Sequence, residues 1–170
     1  MRCSMTDRDY PELSDGIWDD GEWMSWEWIN QQLDDQELRR DYPLADVRVV
    51  RIFEDLCASA AEYHAITRNY LQIWGELGEL FAEVRFGLKR HRAHAEGSDG
   101  KIGNDFVEVK TISPEKKVNC IHVKRVGRFN KLLVVKVNEH FEFEAKLIGR
   151  SSLSRGPAKR AKFVWLTESG

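Results

Sequence analysis

Ser98-Asp99-Gly100-Lys101-Ile102-Gly103-Asn104-Asp105-Phe106-Val107-Glu108-Val109-Lys110-Thr111 is the stretch on which the fold turns. Gly103-Asn104 is one of the two-residue pairs that favour a tight β-turn, and residues 99–102 and 105–110 flank it as candidate strands. With a two-residue loop, Ile102 pairs with Asp105, and stepping outward from the turn puts Asp99 opposite Glu108. Directly opposed side chains have Cβ atoms about 5 Å apart, and the period of two brings Lys110 to the same face. Val107 and Val109 then point the other way, into a core. Asp105 falls on that other face as well and is read as a residue that steadies the turn, not as a ligand.

Opposed carboxylates destabilise a strand pair, so Asp99 and Glu108 need a cation, either Lys110 or a divalent metal ion. Hard oxygen donors at this spacing suit Mg²⁺ or Mn²⁺, which take one or two protein carboxylates and complete their shell with water and phosphate oxygens. This is the outline of a phosphodiester-hydrolysis site, with an adjacent lysine to position a water or neutralise developing charge. An acid-x-Lys tripeptide alone arises by chance about once in a chain of this size. The matched Asp99 and the elements upstream are what sharpen it.

Upstream, Ile73, Leu77, Leu80, Phe81, Val84 and Leu88 fall on one face at helical spacing and predict a helix over about 67–88. Gly75 and Gly78 inside it each cost about 1 kcal/mol relative to Ala, so something is expected to approach that helix closely. A further helix is predicted over 44–65, its stripe formed by Val47, Val50, Ile52, Phe53, Leu56 and Ala60. Trp23, Trp26, Trp28, Ile29 and Leu33 predict a short amphipathic helix or two, with the tryptophans plugging a core or an interface between protomers. Residues 1–22 read as an irregular lead-in. Downstream, β-like runs occupy 118–124, 131–137, 141–148 and 162–166, separated by Gly, Asn and Ser-Arg-Gly-Pro punctuation.

The order Gly75-Glu76-Leu77-Gly78-Glu79, Ser98-Asp99-Gly100, Glu108-Val109-Lys110-Thr111 resembles the PD-(D/E)xK, or restriction-endonuclease-like, nuclease superfamily, in a branch with a GxxGE helix motif. Ser98 replaces the proline of the family's name, a substitution common in it. The resemblance spans about residues 70–137. It implies an α/β fold with a mixed four-stranded sheet flanked by helices, one or two divalent ions, and cleavage of nucleic acid to products carrying a 5′-phosphate. It implies Asp99, Glu108 and Lys110 as catalytic residues, with Asp99 and Glu108 holding Mg²⁺ or Mn²⁺. The GxxGE pattern adds Glu79 as the helix acid, while Glu76, at the edge of the apolar stripe, stays as the other candidate. Homodimers occur among such enzymes, because cutting both strands takes two sites. The domain reading that follows is an acidic, Trp-rich, mainly helical extension over 1–65 and a nuclease-like core over 66–170.

Charge is unevenly spread. The chain of 170 residues has a formal charge of −2, yet residues 1–60 hold 15 acids against 6 bases and residues 61–170 hold 13 against 20. The second part suits a polyanion. Lys89, Arg90, Arg92, Lys116, Lys117, Lys124, Arg125 and Arg128 are candidate contacts to a nucleic-acid backbone, DNA over RNA, and the tail with Arg150, Arg155, Lys159, Arg160 and Lys162 is another. His91 and His94 have HxxH spacing and His122 lies near Cys120, but a convincing fourth zinc ligand is missing, so phosphate contact or solvation is preferred. Cys3, Cys57 and Cys120 are widely spaced and read as reduced thiols. Short apolar runs such as Leu132–Val135 fall far below the roughly 20 residues of a membrane span. With no apolar signal stretch at the amino terminus, a cytoplasmic, non-membrane protein is expected. A metal-dependent nuclease is the leading expectation. The alternatives are a catalytically inactive nuclease-like domain that binds nucleic acid or a protein, and an interaction protein whose acidic amino-terminal part imitates DNA, dimerises or covers a basic groove.

Overall fold

The computed structural model describes residues 15–92, 97–153 and 156–166. The chain is mixed α/β and divides into two compact units, residues 1–43 and 44–170. The unit boundary therefore falls at Pro43 and not after residue 65, because the helix over 47–67 packs within the second unit.

Among the described residues the first unit begins with a hairpin, which takes in the end of the stretch 1–22 expected to be irregular; residues 1–14 of that stretch lie outside the described residues. Strands β1 (Gly16–Asp19) and β2 (Glu22–Ser25) pair antiparallel through Asp20-Gly21, both with positive φ. Two left-handed residues make the turn whose twist matches that of the strands it joins. Trp18 pairs with Trp23 across the hairpin, rings edge to face at 5.6 Å. Helix α1 (Trp26–Asp41) follows as one element, Ser25 capping it through a bond accepted from the Trp28 amide at 3.1 Å. It buries no residue. Trp18, Trp26, Trp28 and Leu33 are exposed in the single chain, so Trp26 and Trp28 do not plug its core. The helix is dressed instead by local ion pairs, Asp35–Arg39 and Glu37–Arg40.

In the second unit, α2 (Val47–Thr67) begins at the cap Asp46 and ends at Arg68, whose φ of 61° is left-handed. That reversal corrects the predicted helix over 67–88: Thr67 closes α2, donating its hydroxyl to the Tyr63 carbonyl, and α3 spans only Trp74–Phe86. Gly87 in the left-handed region ends α3, its amide donating to the Glu83 carbonyl while the Leu88 amide reaches Ala82.

Among the described residues, seven strands follow. A five-stranded mixed sheet has the order β3 (Lys89–Arg90), β4 (Gly100–Ile102), β5 (Asp105–Ile112), β7 (Lys131–Val137), β8 (Phe143–Gly149), with only β5 and β7 parallel. The crossover between the parallel pair carries β6 (Cys120–Lys124), which pairs antiparallel with β9 (Arg160–Val164) as a separate ribbon. Both strands start two residues away from the predicted runs 118–124 and 162–166.

Alternation assigns the two faces of the sheet. Val107, Val109, Leu133 and Val135 pack with Ala82 and Leu88 of α3 and its flank, and α2 adds Val50 and Ala60 to the buried set on the helices. Ile112, Leu132 and Val134, on the opposite face, pack with Ile121, Val123, Ala161, Phe129, Leu153 and Trp165. The helices thus cover one face and the β6/β9 ribbon the other, where the resemblance implied helices around the sheet. Leu132 to Val135 are all fully buried, as expected of a central strand covered on both sides. Among the described residues no helix is long and apolar enough to cross a membrane.

Candidate active site

The β4/β5 hairpin has the register expected: Ile102 opposite Asp105, Lys101 opposite Phe106, Gly100 opposite Val107. Positive φ is confined to Gly103 in the turn, the pattern that places glycine first. The ladder ends at Gly100, and here the structure departs from the expected Asp99–Glu108 face-to-face pair. The Asp99 amide donates to the Val107 carbonyl at 3.0 Å, and its carboxylate Oδ2 accepts from the Val109 amide at 2.6 Å. Asp99 thereby caps the edge of β5 at the point where β4 departs, and among the described residues no strand pairs with β5 on that side from Glu108 onward.

Lys110 is the cation between the two acids. Its Nζ lies 2.6 Å from Glu108 Oε1 and 3.9 Å from Asp99 Oδ2, and it donates to the Val109 carbonyl at 2.9 Å. Glu108 and Lys110 share a face with Ile112, the face that the ribbon packs on, while Val107 and Val109 are buried under the helices as the alternation required.

Glu79 reaches the same place from α3. It lines a cleft of about 440 Å³ together with Lys110, Trp74, Gly75, Thr111 and Lys116. Partial burial raises its carboxyl pKa above the ordinary value, the negative charge of Asp99 and then Glu76 adds to the rise, and Arg90 and Lys110 oppose it. No hydrogen bond or ion pair holds Glu79 among the described residues. Glu76 instead accepts from Arg90 at 2.6 Å, and Glu83 takes the same guanidinium at 2.9 Å. Of the two helix candidates, Glu79 borders the cleft and Glu76 is tied to β3.

The glycines separate in role. A Cβ on Gly78 would lie 1.9 Å from Thr111 Oγ1, the close approach expected for this helix, whereas one on Gly75 would meet nothing within 4 Å. Gly75 leaves space at the cleft.

The basic residues do not form one strip. Arg90 is committed to Glu76 and Glu83, and Arg125 Nε donates to the Ala158 carbonyl. Lys116 borders the cleft, and Lys89, Arg92, Lys117, Lys124 and Arg128 are exposed. Arg150, expected to be a phosphate contact, is structural: its guanidinium donates to the carbonyls of Arg125, Gly127 and Phe129 and stacks on the Phe129 ring. His91 is likewise internal, its Nδ1 3.1 Å from the Ser98 carbonyl, and His122 is exposed on β6. Asp105 accepts from Asn130 Nδ2 at 2.6 Å and so ties the turn to the start of β7. Cys3, His94 and Arg155 lie outside the described residues.

As a donor set for a cation, Asp99, Glu108 and Glu79 are all hard oxygen, and Asp99 Oδ1 has no hydrogen bond among the described residues. Among the described residues, however, no three His, Cys, Asp or Glu side chains are grouped closely enough to hold a metal ion, and Asp99 and Glu108 do not line the cleft that Glu79 borders. The residues that sequence reasoning missed are Trp74, Thr111, Ser113 and Gln72 in the cleft wall. Thr111 stood in the quoted motif without a role, and the others carried no sequence signal. No family model matches the chain, and no curated protein matches it either.

Proposed function

We propose that this chain is a metal-dependent nuclease of the PD-(D/E)xK kind that hydrolyses phosphodiester bonds in DNA. The observation that carries the reading is the convergence of Asp99, Glu108 and Lys110, with Glu79 across the cleft, where β4 parts from β5. The order of elements supports it too. An acid on α3, then an Asp at the start of the second strand of the sheet, then acid-x-Lys on the third, is the sequence of parts that the family resemblance implies, and β7 supplies the fourth strand.

Asp99 and Glu108 are the residues that would hold Mg²⁺ or Mn²⁺, with Glu79 completing the acidic set. Such an ion, when bound, lowers the pKa of a water and stabilises charge on phosphate oxygens. Lys110 Nζ, already poised between the two carboxylates, orients the attacking water and offsets the charge that builds on the phosphate. Water adds at phosphorus, the P–O3′ bond breaks, and the products carry a 5′-phosphate and a 3′-hydroxyl. The free thiols Cys57 and Cys120 go with a cytoplasmic setting for this enzyme.

The test is cleavage of labelled duplex DNA, single-stranded DNA and RNA with Mg²⁺ or Mn²⁺, comparing wild type with Glu108→Gln and Lys110→Ala after circular dichroism has shown all three folded. Wild type is expected to cut and each variant to lose about 100-fold or more. Unchanged cleavage by both variants overturns the reading. A second reading, a nuclease-like domain that binds nucleic acid without cutting, is favoured by one observation: Glu108 already holds Lys110 at 2.6 Å. Binding without cleavage of any substrate with either ion would select it.

A further inference from the structure

The β6/β9 ribbon shows an arrangement that folding alone disfavours. Its inner residues, Ile121 opposite Phe163 and Val123 opposite Ala161, pack on the sheet. The outer ones are His122 opposite Lys162 and Lys124 opposite Arg160, all exposed. Like charges set directly across an antiparallel pair are destabilising. A neighbouring carboxylate would relieve this, yet residues 116–138 and 145–167 contain 13 Lys and Arg and no Asp or Glu. Among the described residues no ion pair or hydrogen bond engages the side chains of Lys124, Arg160 or Lys162, in contrast to Arg90, Arg125 and Arg150, which are all spent on internal partners.

The ribbon is also well placed. It covers the face of the sheet on which Glu108 and Lys110 emerge, and the loop that leads into β6 carries Lys116 at the cleft and the exposed Lys117. Successive outward positions are about 7 Å apart along a strand, so Lys162 stands one step from the Lys124–Arg160 pair and the three cations form a short cluster and not a single point charge.

We infer that the outer face of the β6/β9 ribbon, through Lys124, Arg160 and Lys162 with His122, is a docking surface for the phosphate backbone of double-stranded DNA. The choice of DNA among polyanions rests on the nuclease reading, whereas the surface itself rests on the unpaired cross-strand cations. Binding through it is independent of sequence and falls with salt, because each neutralised phosphate releases counterion.

The test is fluorescence anisotropy of a labelled 20-bp duplex with the full chain in EDTA, so that no cleavage intervenes, over a series of salt concentrations. The variants are Lys124→Ala with Arg160→Ala, Lys124→Glu alone, and Arg39→Ala as an exposed base on α1. The double variant is expected to lose about tenfold or more in affinity, and the slope of log K against log salt should shrink by about 2. Lys124→Glu should weaken binding as well while keeping or raising Tm, since it turns a repelling pair into an attracting one. Arg39→Ala should bind like wild type. Unchanged affinity and slope in the double variant, an equal loss in Arg39→Ala, or tighter binding to anionic phospholipid vesicles than to duplex would each overturn the inference. If wild type binds duplex and the ribbon variants do too, the ribbon assignment fails and the nuclease reading still stands on its own cleavage assay.

Discussion

Gly78 sets how closely α3 can lie on β5. A helix interior would ordinarily gain about 1 kcal/mol from Gly→Ala, but a Cβ here would meet Thr111 Oγ1 at 1.9 Å, with Cγ2 at 3.4 Å ready to take its place if the threonine turned. Gly78→Ala should therefore destabilise the protein by about 1–3 kcal/mol, the usual cost of overpacking, and Gly78→Ala with Thr111→Ala should recover part of it. Thermal unfolding of the two variants checks this, and a raised Tm for Gly78→Ala alone would refute the packing argument. Gly78 was legible in the sequence because a costly residue in a strong helical stripe asks for a neighbour. Gly75 presents the same letter and has no neighbour, since periodicity reports a face and not what stands opposite it. The choice between Glu76 and Glu79 was closed to the sequence for a related reason: it depends on Arg90, whose place on β3 is set by a strand of only two residues.

Turns made some elements easy to read and hid others. Gly103-Asn104 fixed the β4/β5 register to the residue, but the bend at Asp99 comes from its own carboxylate bonding the Val109 amide, which strand alternation does not encode. Asp20-Gly21 is an equally strong turn signal, but its flanks, Ile17-Trp18 and Trp23-Met24, do not alternate and the composition around it is acidic. The α2–α3 junction was obscured because apolar residues continue at Tyr70, Leu71 and Ile73 while the backbone reverses at Arg68. At the other end of α2, Asp46 accepts bonds from the side chain and amide of Arg48, which hold its carboxyl at about 2, below the ordinary 3.8. A depressed carboxyl pKa contributes stability that is present above the unfolded value and lost as pH falls through the folded one, here from about 3.8 to about 2. Carboxyl-carbon NMR should place the Asp46 midpoint near 2, and Arg48→Ala should move it up part of the way, the amide bond remaining. A midpoint that did not respond to Arg48→Ala would show that the side-chain bond is not what holds it down.

On the scale of the whole molecule, the second unit closes its own core and includes α2. Val50 and Ala60 are buried, and Phe53 lies 5.2 Å from the Phe143 ring on β8. A chain of residues 44–170 should unfold in one cooperative transition and give a dispersed amide spectrum, whereas residues 66–170 should not fold, having lost the cover over α3 and β8. A folded 66–170 fragment would return the boundary to residue 65, where the span of the resemblance had put it. The resemblance follows the motif residues, and the change from acidic to basic residues lies close to the same place. The boundary follows burial, and α2, which shows a mixed surface, sits on the far side of it.

The ribbon also bears on how the chain reaches this state. β6 has its partner in β9, beyond β7 and β8, and the nearest paired residues are Lys124 and Arg160. Closing a loop of that span costs entropy before any pairing rewards it, and such non-local strand pairs slow folding. Ile121 and Val123 are therefore expected to gain their cover late, after the more local strand pairs of the central sheet. Lys124 beside Val123, with Lys162 and Arg160 on β9, sets like charge next to that apolar face, and like charge disfavours association of chains whose ribbon has not closed.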